Sequence, residues 1–142
     1  MSPSDGAPRH SDARSEAREQ AVMLLYEAEQ RGVPASVLLE ERSVVSGELT
    51  TLLVRGVESN REGLDGTIAR HARGWTIERM PALDRAILRI GMFELGSRPE
   101  VPTAVVIDEA VELAKRFSTD DSGKFVNGVL AAFAREARPV EG

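Results

Sequence analysis

Apolar residues recur every three or four positions along almost the whole chain, and only short stretches with Gly or Pro interrupt this helical period. No segment shows the sustained alternation of apolar and polar residues that is typical of a strand. The segment TAVVI (103–107) is rich in β-branched residues, but it continues into a helical period without a break. The pattern therefore predicts an all-α fold, a compact bundle of about six or seven helices.

Gly and Pro give approximate limits for these helices. Gly32, followed by Pro34, ends the first helix, whereas Pro81 and Pro102 open later ones. The predicted helices cover residues 13–30, 35–45, 47–74, 81–96, 102–117 and 122–138, and glycines inside 47–74 favour a kink in that long helix. Residues 1–12 have no period and are predicted to be a flexible arm. Residues 13–138 form a single predicted domain, and 139–142 a short tail.

Composition excludes several classes of protein and site. The chain has no cysteine and only two histidines, His10 and His71, so disulfides and thiolate metal sites are excluded and a histidine metal site is not indicated. No apolar run approaches the roughly 20 residues that span a bilayer, and the N-terminus lacks the apolar stretch of a signal peptide. We therefore expect a cytoplasmic protein with no membrane partner. The net charge of −5 argues against non-specific wrapping of nucleic acid by a basic face.

Catalytic motifs are not evident. The sequence contains no phosphate-binding loop, dinucleotide fingerprint or nucleophile elbow. Asp108 and Glu112 can share a helix face, but they alternate with basic residues and are interpreted as solvated positions. The residues thus favour a binding protein over an enzyme.

The segment DDSGKFVNGVL (120–130) combines two opposed signals. Asn127-Gly128 is a turn dipeptide, yet the apolar residues around it keep helical spacing, and glycine inside a helix costs roughly 1 kcal/mol relative to alanine. We interpret Gly128 as a place where another helix approaches closely, with Phe125, Val129 and Phe133 in the core. One of Asp120, Asp121 or Ser122 is expected to cap this helix. The same helix start, with Lys124, also offers N–H groups and positive charge to an anion.

Three segments together resemble the NusB transcription antitermination family: 13–29, 81–95 and, most specifically, 101–130. The resemblance implies an all-helical domain of two packed halves. It also implies binding of the boxA element of leader and ribosomal RNA transcripts together with NusE, a small-subunit ribosomal protein. That complex allows RNA polymerase to read through terminators, which makes the polymerase antitermination complex a further expected partner. Neither a cofactor nor catalysis is implied.

The resemblance assigns RNA-binding residues to the first helix. The arginine-rich start of this helix in the family corresponds to Arg14 and Arg18, with Arg9 upstream, and residues four apart share a helix face. These side chains would meet phosphates or the planes of unstacked bases. The alternative is a solvated helix start in which Arg18 pairs with a nearby acid. The sequence departs from the family here, because residues 5–19 contain three arginines but four acids.

Four further residues are assigned by the resemblance. Tyr26 occupies a position where the family places an aromatic residue near RNA, although a tyrosine at the edge of the core fits equally well. In the family the turn before the last helix lies beside the first helix and helps to receive RNA, which implicates Asp121 and Lys124. Asn127 is either a backbone clamp or an RNA contact.

Two other functions stay open on the residues alone. A similar helical domain precedes the catalytic part of ribosomal RNA cytosine methyltransferases, but such an enzyme needs a glycine-rich cofactor loop and a catalytic cysteine, which these 142 residues lack. The other alternative is a module that binds only protein through its amphipathic faces. The oligomeric state is also open, because the family includes monomers and homodimers.

Overall fold

The computed structural model describes residues 12–42 and 47–139, and these fold into a helical bundle without a strand. The predicted all-α class is thus confirmed. In chain order the helices are α1 (Ala13–Arg31), α2 (Ala35–Glu41), α3 (Glu48–Ser59), α4 (Arg61–His71), α5 (Ala82–Ser97), α6 (Thr103–Phe117) and α7 (Asp120–Ala137), with a 3₁₀ turn at Ile77–Arg79. Of the described helices, none combines the length and apolar character that crossing a membrane requires.

Local sequence explains both ends of α1. The Asp12 side chain accepts a hydrogen bond of 2.8 Å from the backbone N–H of Ser15, which satisfies a free donor in the first turn. Gly32 ends the helix with a φ of 68°, a left-handed conformation that glycine adopts without steric cost. The predicted end of the first helix is therefore confirmed to within one residue.

Helix α5 is the centre of the bundle. Ten of its sixteen residues are buried, and it packs against α1, α3, α4, α6 and α7. Its buried positions include Asp84, Arg89 and Glu94, each of which contacts another helix. Since buried charges must be paired or hydrogen-bonded, these three residues fix the helices that face them.

The predicted long helix over residues 47–74 is wrong in one respect, because the structure divides it into α3 and α4 at Asn60. Asn60 leaves helical geometry with φ −115° and ψ 17°, and its side-chain amide donates a 2.7 Å hydrogen bond to the Gly56 carbonyl. The second helix ends at Glu41, and residues 43–45 of its predicted range lie outside the described residues.

Two predictions for the last helix are also wrong. The N-cap is Thr119 rather than Asp120, Asp121 or Ser122, because the Thr119 hydroxyl accepts a 2.9 Å hydrogen bond from the Ser122 N–H. Gly128 is exposed, and a Cβ added there would meet no atom within 4 Å, so no helix approaches it closely.

The apolar residues of α7 differ in how far they are buried. Val129 is buried, whereas Phe125 and Phe133 are partly buried against the core. Close contacts at glycine occur instead at Gly56, where an added Cβ would collide with the Phe93 ring, and at Gly91 and Gly123, where it would lie 2.7 Å from the Leu130 side chain and 2.9 Å from the Lys115 side chain respectively.

Candidate nucleic-acid interface

The two arginines predicted to share an RNA-binding face lie at different depths. Arg14 is exposed in the first turn of α1, whereas Arg18 is 3% exposed and directs its guanidinium to α5. There it donates hydrogen bonds of 2.8 and 3.0 Å to the two carboxylate oxygens of Glu94. The expectation of an accessible Arg18 is therefore wrong. Its partner is an acid, as the alternative proposed, but the pair is buried and its members lie 76 residues apart.

Electrostatics keep Arg18 in its charged form. Burial by itself lowers the pKa of Arg18, but the hydrogen bonds and charge of Glu94, with a contribution from Glu109, outweigh burial and raise the pKa above its ordinary value. Glu94 also accepts a 3.0 Å hydrogen bond from Arg98. The buried carboxylate is therefore held between two arginines, and Arg18 has a structural position beneath the surface that carries Arg14.

An ion pair brings α1 next to the turn that precedes α7. Arg116, in the last turn of α6, lies 3.2 Å from Glu19 of α1. Arg116 also stacks over the Phe117 ring, with its guanidinium carbon 4.7 Å from the ring centroid. Thr119, the N-cap of α7, follows three residues after Arg116, so the ion pair anchors α1 beside the end of α6 that leads into α7.

The remaining predicted residues mostly lie on the outside of the protein. Asp121, Lys124 and Asn127 are exposed on α7, and Tyr26 is half-buried on α1. Within the described part of the chain Asn127 makes no side-chain hydrogen bond, so the backbone-clamp interpretation has no support. Arg9 lies outside the described residues.

A cleft of about 420 Å³ opens beside the start of α7. We call it the Trp75 cleft. Residues from three parts of the chain line it, among them Trp75, Met80, Pro81, Asp84, Asp121 and Phe125. The rings of Trp75 and Phe125 stand with centroids 6.0 Å apart and planes inclined at 57°, and Trp75 is 49% exposed. A large exposed aromatic ring beside a cleft is typical of a binding surface.

Asp84 of α5 lines the Trp75 cleft and is only 3% exposed. Its Oδ2 accepts a 2.9 Å hydrogen bond from the Ser122 hydroxyl, and Ser122 is itself held by Ser118 and Thr119. Its Oδ1 is buried and has no hydrogen-bond partner in the described structure. A buried acceptor without a partner costs about 1–3 kcal/mol, so this oxygen needs an explanation.

Arg85 fixes the other wall of the cleft. Its guanidinium donates to the backbone carbonyls of Ile77 and Met80 and to the Glu29 carboxylate of α1, the last at 2.8 Å. The segment between α4 and α5, which carries Trp75 and the 3₁₀ turn, is thus tied to both α1 and α5. The cleft therefore has walls held by hydrogen bonds, and the exposed ring of Trp75 is part of its lining.

Comparison with known proteins shows the family to which the chain belongs. The model of the NusB family matches residues 15–135. The chain belongs to the NusB family. The match includes the helix that carries Arg18, the buried helix of Asp84 and Glu94, and the start of α7.

Individual relatives support this assignment. The transcription antitermination protein NusB of Saccharopolyspora erythraea is 54% identical over 129 residues, which cover 86% of each chain. The solved structure of T. maritima NusB superposes with a TM-score of 0.82 at 33% identity, covering 92% of this chain and 96% of the other. A crystal structure of the antitermination factors NusB and NusE in complex with dsRNA aligns at a TM-score of 0.74 and 29% identity, over 84% of this chain and 94% of that one.

Sequence reasoning did not select Trp75, Asp84 or Ser122 as parts of one cleft. A weak signal was present, because Trp75 is the only tryptophan and occurs in a break between helices beside Gly74. Asp84 is the single acid in the run PALDRAILRI, but a helical pattern alone does not show that its side chain is buried. The contact between Asp84 and Ser122 joins residues 38 positions apart and depends on how α5 and α7 pack.

Proposed function

We propose that this protein is a transcription antitermination factor that binds boxA RNA of ribosomal RNA transcripts together with NusE. In the complex with RNA polymerase it allows the polymerase to read through terminators. Membership of the NusB family supports this function, and so does its similarity to a NusB solved together with NusE and dsRNA.

One structural observation supports the location that we propose for the RNA. The exposed cations Arg14 and Lys124 lie at the starts of α1 and α7, and the Glu19–Arg116 ion pair joins α1 to the end of α6, three residues before the N-cap of α7. The start of α7 adds the positive end of an 18-residue helix. Phosphates along one RNA strand can therefore contact both helices.

Charge explains why a protein partner is needed. The net charge is −5, Arg18 is neutralised by Glu94, and Asp121 stands close to Lys124 on α7. Few phosphates are neutralised by the cations that remain, so the protein alone binds RNA weakly. A basic ribosomal protein at the edge of this surface supplies further phosphate contacts. RNA and NusE then each increase the affinity of the protein for the other.

The experiment is a titration of fluorescently labelled boxA RNA with this protein, with and without saturating NusE, followed by anisotropy. We expect NusE to tighten binding at least tenfold, which is about 1.4 kcal/mol. An RNA of the same length with a scrambled sequence is the control, and NusE should increase its affinity for the protein much less. Equal boxA affinity in both series would reject the partnership with NusE. No boxA binding in either series would reject the function.

A further inference from the structure

Lys115, in the last turn of α6, packs against the bare backbone of Gly123 in α7. A Cβ built on Gly123 would lie 2.9 Å from Cγ and 3.5 Å from Cε of Lys115, whereas the next atom, Cγ1 of Val111, is at an ordinary contact distance of 3.6 Å. Gly123 is buried, yet Lys115 is exposed. The aliphatic stem of the lysine therefore covers the glycine, and its charged end stays in solvent, as is common for lysine.

This packing adds a cation to the surface where we propose that RNA binds. The ammonium is one bond beyond Cε, so it lies beside the first turn of α7, next to the residue that precedes Lys124. Arg116, the neighbour of Lys115 in α6, is occupied by its ion pair with Glu19. Lys115, in contrast, forms no ion pair within the part of the chain that the structure describes. Its charge is therefore available to a ligand.

We propose that Gly123 holds Lys115 in the position where its ammonium contacts a phosphate of the bound RNA. The inference rests on the RNA-binding function proposed above, and it adds Lys115 as a phosphate contact and Gly123 as the residue that positions it. The glycine is needed because a side chain at position 123 would displace Cγ of Lys115 from α7. The ammonium would then leave the first turn of α7, although the net charge of the protein would stay the same.

Charge favours RNA over NusE as the ligand of Lys115. An ammonium is a compact cation with three donors and binds phosphate as a point charge. A basic ribosomal protein gains nothing from an unpaired lysine, whereas a cation that meets an RNA phosphate releases counterions and raises the affinity. On single-stranded RNA one such contact contributes about 0.7 to the salt slope, which corresponds to about a fivefold gain in affinity at 0.1 M salt relative to 1 M.

The first test compares Lys115→Ala with the wild type in titrations of labelled boxA RNA, with NusE present and at several salt concentrations. We expect about fivefold weaker binding at 0.1 M salt and a salt slope that is smaller by about 0.7. Arg135→Ala is the matched control, because it removes one exposed cation near the other end of α7 and should change neither quantity. An equal loss in the control would mean that net charge, and no contact at Lys115, determines the affinity.

Gly123→Ala tests the positioning role separately, because it keeps every charge. Alanine favours a helix, so the variant should fold, and we expect RNA affinity to fall by about as much as in Lys115→Ala. In the Lys115→Ala background the stem of the lysine is gone, so Gly123→Ala should have no further effect on RNA affinity. An equal loss in both backgrounds would show that the alanine acts through the fold and would overturn the positioning role.

Acetylation by acetic anhydride gives a readout that does not depend on affinity. Lys115 and Lys124 are the only lysines of the chain, so mass spectrometry assigns each product. Saturating boxA RNA, with NusE present, should protect both amines of the wild type. In Gly123→Ala we expect Lys124 to stay protected and Lys115 to become reactive. Should Gly123→Ala fail to fold, protection of Lys115 in the wild type still tests the phosphate contact.

Three further outcomes overturn the inference. If boxA RNA binds but Lys115→Ala changes neither affinity nor slope, and Lys115 stays reactive in the complex, the contact is wrong and the proposed function stands. If NusE protects Lys115 in the absence of RNA, the lysine lies in a protein interface. If the wild type binds no boxA RNA with or without NusE, the proposed function and this inference fail together.

Discussion

Arg18 and Glu94 form a buried ion pair that joins the first helix to the central helix of the bundle, with hydrogen bonds of 2.8 and 3.0 Å. Arg18 is one of the residues to which the resemblance to the NusB family assigns RNA binding. Because the guanidinium is only 3% exposed, phosphates cannot reach it without breaking a contact that holds the fold. In the RNA surface that we propose at this end of α1, Arg14 is the exposed cation, whereas Arg18 is buried.

Arg18→Ala should lower the free energy of unfolding by about 3 kcal/mol. Removing one member of a buried pair costs about 3–5 kcal/mol, and the lower end applies because Arg98 still donates to Glu94. Urea denaturation measures the change. Arg14→Ala is the control, and at its exposed position we expect a change within about 0.5 kcal/mol. Similar stability of both variants would show that the Arg18–Glu94 pair contributes little.

Replacement by alanine at two glycines should change the free energy of unfolding in opposite directions. Gly128→Ala should raise the free energy of unfolding by up to about 1 kcal/mol, because alanine favours the helix and a Cβ meets open space there. Gly91→Ala should lower it by about 1–3 kcal/mol, because its Cβ would lie 2.7 Å from the fully buried Leu130. Thermal and urea unfolding of the two variants decide the point, and a stabilised Gly91→Ala would mean that Leu130 moves freely.

The sequence predicts elements whose signals are local. Gly32 needs a left-handed conformation, and Pro102 stands at the start of a helix, so both mark boundaries that the structure contains. The apolar period does not reveal the break at Asn60, because Val57 and Ile68 are buried on either side of it and the period continues across the break.

The burial of an individual side chain is harder to predict from the sequence than the helical period of the segment that contains it. The spacing of Arg14 and Arg18 correctly places them on neighbouring turns, but burial of Arg18 depends on an acid 76 residues away. Gly128 likewise shares helical spacing with core residues on its flanks and yet lies on the outside of α7. Residue type and spacing cannot separate these cases, since both depend on which helices pack together.

The contribution of Glu29 to the free energy of unfolding should decrease as the pH falls into the acid range. Burial raises the pKa of Glu29, but the hydrogen bonds and charge of Arg85, with the charges of Arg89 and Arg61, outweigh burial and lower the pKa overall. Its contribution to stability is therefore complete above the unfolded value of about 4.3 and is lost as the pH falls through the lower folded pKa. We expect Glu29→Gln to destabilise the protein at pH 7 and to have less effect at pH 3.

Chemical denaturation of the Glu29→Gln variant at several pH values gives this difference directly. Glu40→Gln is the matched control, because Glu40 is exposed and forms no ion pair among residues 12–42 and 47–139. Its effect should be close to zero at both pH values. A Glu29→Gln difference that does not shrink toward pH 3 would show that the arginines around Glu29 do not stabilise its charged form.

Lys124→Gln and Arg14→Gln should each weaken boxA binding and reduce its dependence on salt. On single-stranded RNA each phosphate contact contributes about −0.7 to the slope of log affinity against log salt, so each variant should lose about that amount. Arg135→Gln removes the same charge from the same helix as Lys124, about 16 Å further along α7, and should leave both affinity and slope unchanged. Anisotropy titrations at several salt concentrations, with NusE present, measure the slopes. If Arg135→Gln reduces the slope as much as Lys124→Gln does, the effect is one of net charge, and RNA does not bind at the start of α7.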